Sequence, residues 1–204
     1  MLMNTRNHSI RDVFCLQTDR LLLRVVRPNE AYSVVSYLQK NREFHAPYHQ
    51  IMEEEYFTVR GQRNYLRSDF HKFLDDLQYP FWISEKSRPD VIIGRLSFSH
   101  IVRGALQSCL VGYHLDQDVV GNGYMREALL AGCNYIFTVQ KLHRIQADIM
   151  PSNTRSKNTA ISCGFRFQGL NNDYMCISGQ WADHEMYALL NDPKWLIPDT
   201  KNNK

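Results

Sequence analysis

The residues that most constrain this chain are Gly121, Asn122 and Gly123. They stand between an apolar, strand-like run at residues 108–115, followed by a short acidic loop, and a long amphipathic segment that begins at Tyr124. Glycine reaches backbone conformations closed to other residues and lets another group approach the main chain without meeting a Cβ. A helix N-terminus adds unpaired N–H donors and the positive end of its dipole. Strand, glycine turn and helix in that order make a cradle for a pyrophosphate or a similar anion. A Gly-x-Gly alone is more often a plain tight turn; the flanking strand and helix reverse that in favour of the cradle.

The rest of the chain reads as one α/β fold. Residues 20–26 (RLLLRVV) form a strand candidate stopped by Pro28, and Asn29 is placed to cap a helix over residues 30–39. An irregular aromatic and acidic stretch follows at residues 44–56. Leu66, Phe70, Phe73, Leu74 and Leu77 recur at helical spacing and read as a core-facing stripe. From residue 81 the pattern turns to strands, 81–84, 91–102 and 108–115, with turns expected at Arg88-Pro89-Asp90 and Gly104. That is an antiparallel meander. The helix after Gly123 presents Met125, Ala128, Leu129, Cys133, Ile136 and Phe137 on one side. Residues 144–149 alternate as a strand, Ser152 is placed to cap a short helix ending at Gly164, and strands at 165–170, 174–177 and 181–190 complete the order, with a turn at Ser178-Gly179. The expectation is a single domain over residues 16–192 with a mixed, mostly antiparallel sheet flanked by helices. Residues 1–15 read as a loose leader and 193–204 as a tail.

Composition excludes more than it identifies. The 24 Lys and Arg against 21 Asp and Glu give a net charge of +3, with no basic block of the kind that binds nucleic acid. The first residues lack the apolar core of a signal peptide, and no apolar run approaches the length of a membrane span. Five cysteines, an odd number without CxxC spacing, read as reduced thiols of a cytoplasmic protein. No metal site is expected.

Taken together, the VGNGYM turn, Asn153 followed by Gly164-Phe165, and the order of elements resemble the GNAT superfamily of acetyl-CoA-dependent N-acetyltransferases. Thr18-Asp19-Arg20-Leu21, Ile101-Val102-Arg103-Gly104, Met125, Gly179-Gln180-Trp181 and Asp183-His184 are similar to the RimJ/RimL branch, which acetylates N-termini of ribosomal proteins. The resemblance covers residues 18–192. It implies acetyl-CoA as co-substrate, held by Tyr113, His114 and Leu115 at the strand end, by Val120, Gly121, Asn122, Gly123, Tyr124 and Met125 in the turn, and by Asn153 and Ser156. Where the superfamily has Gln or Arg and a final small residue in the turn, this chain has Val120 and Met125. The N–H cradle does not depend on those side chains, but one side-chain contact to phosphate is lost. The tyrosine that many members place seven residues after the Asn is Ala160 here. The branch uses a serine three residues after the Asn as general acid, which is Ser156.

The chemistry asks little of the protein. An α-amine with a pKa of about 7.7–8.0 is neutral to the extent of roughly a tenth at pH 7, whereas a lysine amine near 10.4 is neutral in under about a thousandth. The thiol leaving group has a pKa near that of cysteine, about 8.5. A weak acid and a weak base therefore suffice, and holding the two substrates together does most of the work. No cysteine stands in a nucleophile motif, so direct attack in a ternary complex is expected. The base candidates are Glu53, Glu54 and Glu55, with Glu54 slightly preferred; the same acids also suit a solvated helix start. Tyr48, Phe98 and Tyr174 could line an acceptor groove or simply pack. The expected acceptor is the N-terminal α-amine of a protein, which the resemblance implies is ribosomal. Two alternatives remain: a small amine (a polyamine, an amino acid or an aminoglycoside) drawn to an acidic pocket of Glu53–Glu55 with Asp75 and Asp76, and a non-catalytic acyl-CoA sensor. Monomer and homodimer are both compatible.

Overall fold

Alternation along one strand shows how the fold is layered. In β3 (Tyr79–Glu85) nearly every residue is buried, yet Phe81 and Ile83 join one apolar cluster and Trp82 another. Successive strand side chains point to opposite faces, so this strand is covered on both. In the computed structural model of the chain, residues 14–192 are described. Eight strands form one sheet in the order β1-β2-β3-β4-β5-β6-β8-β7. The others are β1 (Cys15–Gln17), β2 (Leu21–Arg24), β4 (Arg88–Val102), β5 (Ser108–Leu115), β6 (Arg144–Ile149), β7 (Arg166–Ile177) and β8 (Gln180–Leu190). Every neighbouring pair is antiparallel except β5 and β6.

The helices are α1 (Ala31–Lys40), α2 (Arg42–His45), α3 (Val59–Leu74), α4 (Tyr124–Thr138) and α5 (Thr154–Ser162). The larger cluster packs α4, through Met125, Ala128, Leu129, Cys133, Ile136 and Phe137, on Phe81, Leu96 and Phe98. The smaller one packs α1 and Leu66 of α3 on Trp82 and Ile92. Each such large side chain contributes about 1.5–3 kcal/mol when taken out of water. The parallel pair requires a crossover, and α4 supplies it.

Several boundaries differ from the sequence expectation for identifiable reasons. The β3–β4 turn falls at Lys86-Ser87, and Arg88-Pro89-Asp90 already belongs to β4. Pro89 lies beside a register shift at the strand's start, where its missing N–H does no harm. Pro28 opens a single 3-10 turn, Pro28–Glu30, that leads into α1, so it begins a helix as much as it stops a strand. Asn29 sits inside that turn and does not cap. Asn153, not Ser152, caps α5. Residues 44–56 contain short helical turns. The stripe on α3 is only partly core: Leu66 is buried, while Leu74 and Leu77 are each 56% exposed. Of the expected leader, residues 1–13 lie outside the described residues, as does the tail at 193–204. Phe14 and Cys15 belong to the fold: Cys15 opens β1, and the Phe14 ring lies 5.2 Å from those of Phe73 and Tyr135.

Candidate active site

The sheet opens where its two parallel strands part. β5 pairs with β6 only from Ser108 to Leu110, although both strands run on. A cavity of about 300 Å³ lies in the opening, lined by Tyr113, His114 and Leu115 of β5, by Val120, Gly121 and Gly123 of the turn, and by the first residues of α4. The turn is built for this place. Gly121 (φ +92°) and Gly123 (φ +74°) occupy left-handed conformations, and a Cβ on Gly121 would meet nothing within 4 Å. The first intrahelical bond of α4 runs from the Glu127 amide to the Gly123 carbonyl at 3.0 Å. No side chain caps the helix at Gly123. The amides of Tyr124, Met125 and Arg126 therefore face outward as donors, at the positive end of a 15-residue helix. Both acids of the loop beside the turn are engaged by one cation, Lys40 Nζ, which lies 2.7 Å from Asp116 and from Asp118.

Thr18 and Arg20 brace the turn from behind. Arg20 donates from Nε to Glu127 at 2.6 Å and from Nη1 to the Asn122 carbonyl at 3.0 Å, and its guanidinium lies 4.5 Å over the Tyr124 ring. Thr18 and the Arg20 amide also donate to Glu127. Burial pushes the Glu127 carboxyl upward, but these donors outweigh it and hold its pKa below the ordinary glutamate value.

Across the gap, Tyr113 donates its hydroxyl to the Ser156 carbonyl at 2.9 Å, and Ser156 Oγ donates to the Tyr113 hydroxyl at 3.1 Å. Asn153 fixes Ser156 by accepting from its amide at 3.1 Å. Burial raises the Tyr113 phenol above its ordinary pKa, so it stays protonated. On the other wall stand three histidines. His45 and His49 stack with ring centroids 5.5 Å apart, and His114 meets them at 4.9 and 5.3 Å. Burial lowers all three below the usual histidine value, His49 to about 4, so each is a neutral imidazole at pH 7.

Of the residues expected to hold the cofactor, all but Asn122 line this cavity; Asn122 contributes its carbonyl to the Arg20 brace instead. Ser156, the expected acid, lines it too. Glu54, the expected base, does not. Its side chain is 78% exposed and paired with Arg42, which lowers its pKa. Glu55 pairs with Arg60, and Glu53 also lies outside the cavity lining. Tyr48 lines the cavity, Tyr174 does not, and Phe98 is fully buried in the core. The sequence reading passed over Phe44, His45, His49, Arg126, Arg155 and Thr159, which complete the lining. Arg126 and Arg155 are the cations nearest to replacing the side chain missing at Val120. No Asp or Glu lines the cavity, and among the described residues no group of three or more His, Cys, Asp or Glu is placed to hold a metal ion.

Residues 20–166 match the model of the acetyltransferase (GNAT) domain family. The chain is 36% identical, over 88% of its length and 92% of the relative's, to the [ribosomal protein uS5]-alanine N-acetyltransferase of Escherichia coli strain K12. A crystal structure of the ribosomal-protein-S5-alanine acetyltransferase from Vibrio fischeri superimposes with a TM-score of 0.83 at 29% identity, covering 90% of this chain and all of that one. Mycobacterium smegmatis RimJ, solved in complex with CoA-disulfide, gives 0.79 at 26% identity over 88% of this chain and 87% of its own.

Proposed function

The chain belongs to the GNAT acetyltransferase family as an acetyl-CoA-dependent N-acetyltransferase, and from that premise we propose that its acceptor is the α-amine of a protein N-terminus, a ribosomal protein's in particular. The observation that carries the acceptor class is the cavity without a carboxylate. A polyamine or aminoglycoside enters as a multiple cation and needs acidic groups to replace its hydration. The acids that would have drawn one lie elsewhere: Glu54 is paired with Arg42, Glu55 with Arg60, and Asp76 with Arg103. An α-amine carries a neutral fraction of roughly a tenth at pH 7 and needs no such counter-charge. The relative's own acceptor, an alanine N-terminus of uS5, supports the same class.

The residues present fit the co-substrate. The outward amides of α4 with Gly121 and Gly123 suit a pyrophosphate, and Arg126 and Arg155 add charge. Tyr113, His114 and Leu115 lie along the strand edge released by β6, where an amide-bearing arm can pair. Acetyl-CoA supplies the activated acyl group. Ser156, turned from Tyr113, donates a proton toward the departing sulfur, and Tyr113 keeps it in place. A ribosomal acceptor and unpaired thiols support a cytoplasmic protein; among the described residues no helix is long and apolar enough to cross a membrane.

The test is mass spectrometry of peptides beginning with Ala or Ser, and of a panel of small amines, incubated with acetyl-CoA. Acetyl addition at the peptide α-amine, slowed on the order of 10²-fold in Ser156→Ala, is expected. Acetylation of small amines alone would overturn the acceptor class, and full activity of Ser156→Ala would overturn the role of Ser156.

A further inference from the structure

A second cavity, of about 210 Å³, adjoins the first. Its walls are Leu38, Ile51, Met52 and Phe57, and it reaches Ser178 of the β7–β8 turn. The residues common to both linings are His45 and His49. A group entering through the second cavity therefore meets the first at these two rings.

The three histidines are not equivalent. His45 Nε2 lies 2.9 Å from the Leu115 carbonyl, which only accepts, so that nitrogen carries the ring proton. His114 Nδ1 is engaged with the Tyr37 hydroxyl at 2.6 Å. Neither ring nitrogen of His49 makes a hydrogen bond to a described residue, and the ring is held in place by stacking on His45 and by the edge of His114. Its backbone is fixed from outside: the Ser178 amide donates to the His49 carbonyl at 3.0 Å, and Ser178 Oγ donates to the Ala46 carbonyl at 2.7 Å. The cations acting on it or sharing its walls are Arg95, which is paired with Asp69, and Arg42 and Arg155 of the two linings, and neither lining holds a carboxylate. A neutral ring nitrogen without a partner, in a wall shared by two cavities, is a proton acceptor.

We propose that the acceptor's amino end reaches the thioester through the second cavity and that His49 takes the proton its nitrogen sheds. The proposal rests on the acetyltransferase reading above. The amine nitrogen attacks the thioester carbonyl carbon; the C–N bond forms, the C–S bond breaks, and the electron pair of that bond leaves on sulfur. The nitrogen becomes acidic as it bonds to carbon, which is why a base as weak as His49 serves. His49 takes one N–H proton and later releases it to water. The sulfur takes a proton through Ser156, which is restored from water. The sum is an amide and a free thiol.

The experiment compares wild type, His49→Gln and His49→Ala with the peptide or amine that the wild type acetylates. His49→Gln is expected to lose kcat by about 10²-fold or more, the usual range for one acid or base, with the KM for acetyl-CoA and the calorimetric affinity for coenzyme A unchanged. Retained affinity shows that the variant is folded, since both cavities share this wall. His49→Ala is expected to regain part of its kcat on addition of imidazole. A kcat within about threefold of wild type would overturn the proposal, being far below an acid–base effect. So would a loss confined to coenzyme A affinity, or an imidazole-insensitive His49→Ala. Wild-type activity on small amines alone would overturn the acceptor class yet leave the role of His49 to be decided by the same comparison. A wild type inactive on every amine would overturn both.

Discussion

Substituting Gly121 by Ala separates what the backbone requires from what the ligand requires. Gly121 has φ +92°, and an added Cβ would meet nothing within 4 Å. Gly104, in the β4–β5 turn and away from the cavity, has φ +70° and is equally open. For an L-residue a left-handed backbone costs about 1–2 kcal/mol. Each substitution is therefore expected to lower apo stability by that amount, a drop in Tm of roughly 2–8 °C for a domain of this size. Steric contact within the free protein adds nothing in either case. With coenzyme A the two should diverge. Gly121 lines the cavity and Gly104 does not. A methyl group at Gly121 holds the anion off the amides of the cradle, and one charge-assisted hydrogen bond lost is worth about 1.5–3 kcal/mol. That is roughly a 10- to 150-fold weaker Kd. Thermal melting of the two apo variants and calorimetry with coenzyme A measure both terms. Equal affinity in Gly121→Ala and Gly104→Ala would refute the cradle and leave the glycines as ordinary turn residues.

Two further expectations follow from groups around the site. Glu127→Gln removes a carboxylate that accepts from Thr18 and twice from Arg20. Discounted for the half-exposed Arg20, the loss is about 1–2 kcal/mol at pH 7. Because the folded-state pKa of Glu127 is depressed, this stability is present above the unfolded value of about 4.3 and disappears as pH falls through the folded one. Urea denaturation should show the two proteins converging as pH falls from about 4.3 through the folded-state value, and a gap that stays constant across that fall would contradict the assignment. Glu54→Ala, by contrast, should leave kcat within about twofold, because an exposed surface ion pair contributes little; a loss of about 10²-fold would restore Glu54 as the base.

What the sequence disclosed was whatever is written locally. Alternation in residues 144–149 reproduces β6, and α4 begins immediately after Gly123 because the left-handed glycine is its cap. The glycine turn was legible for the same reason: its outward donors are backbone groups of consecutive residues. The histidine wall was not. His45 and His49 stand four apart, but Pro47 lies between them and interrupts a regular helical face, and His114 arrives from β5. Phe98 packs in the core, the more ordinary of its two readings; which face an aromatic residue of a strand takes is settled only by the register with β3 and the approach of α4. Glu54 stands outside the cavity lining, and an acidic run carries no sign of which cation, here Arg42, will hold a member of it outward.

The positions of the carboxylates then decide which amine this site can use. Asp116 and Asp118 share Lys40, Glu54 and Glu55 pair with arginines, and none of the four lines the cavity to receive an ammonium. Neutral imidazoles, tyrosine hydroxyls, Arg126 and Arg155 line it instead. A charged amine entering such a wall loses its hydration without gaining a counter-ion, so the neutral form is the one admitted. At pH 7 that form is roughly a tenth of an α-amine but only about a few parts in ten thousand of a lysine side chain. Ionisation alone therefore favours an N-terminus over a lysine by roughly 10²-fold, before shape contributes. An acidic cavity would erase this bias by stabilising either ammonium. On the proposed reading the bias comes from where the fold keeps its acids, and a carboxylate introduced at the wall, as in Thr159→Asp, is expected to raise acetylation of lysine side chains relative to N-termini.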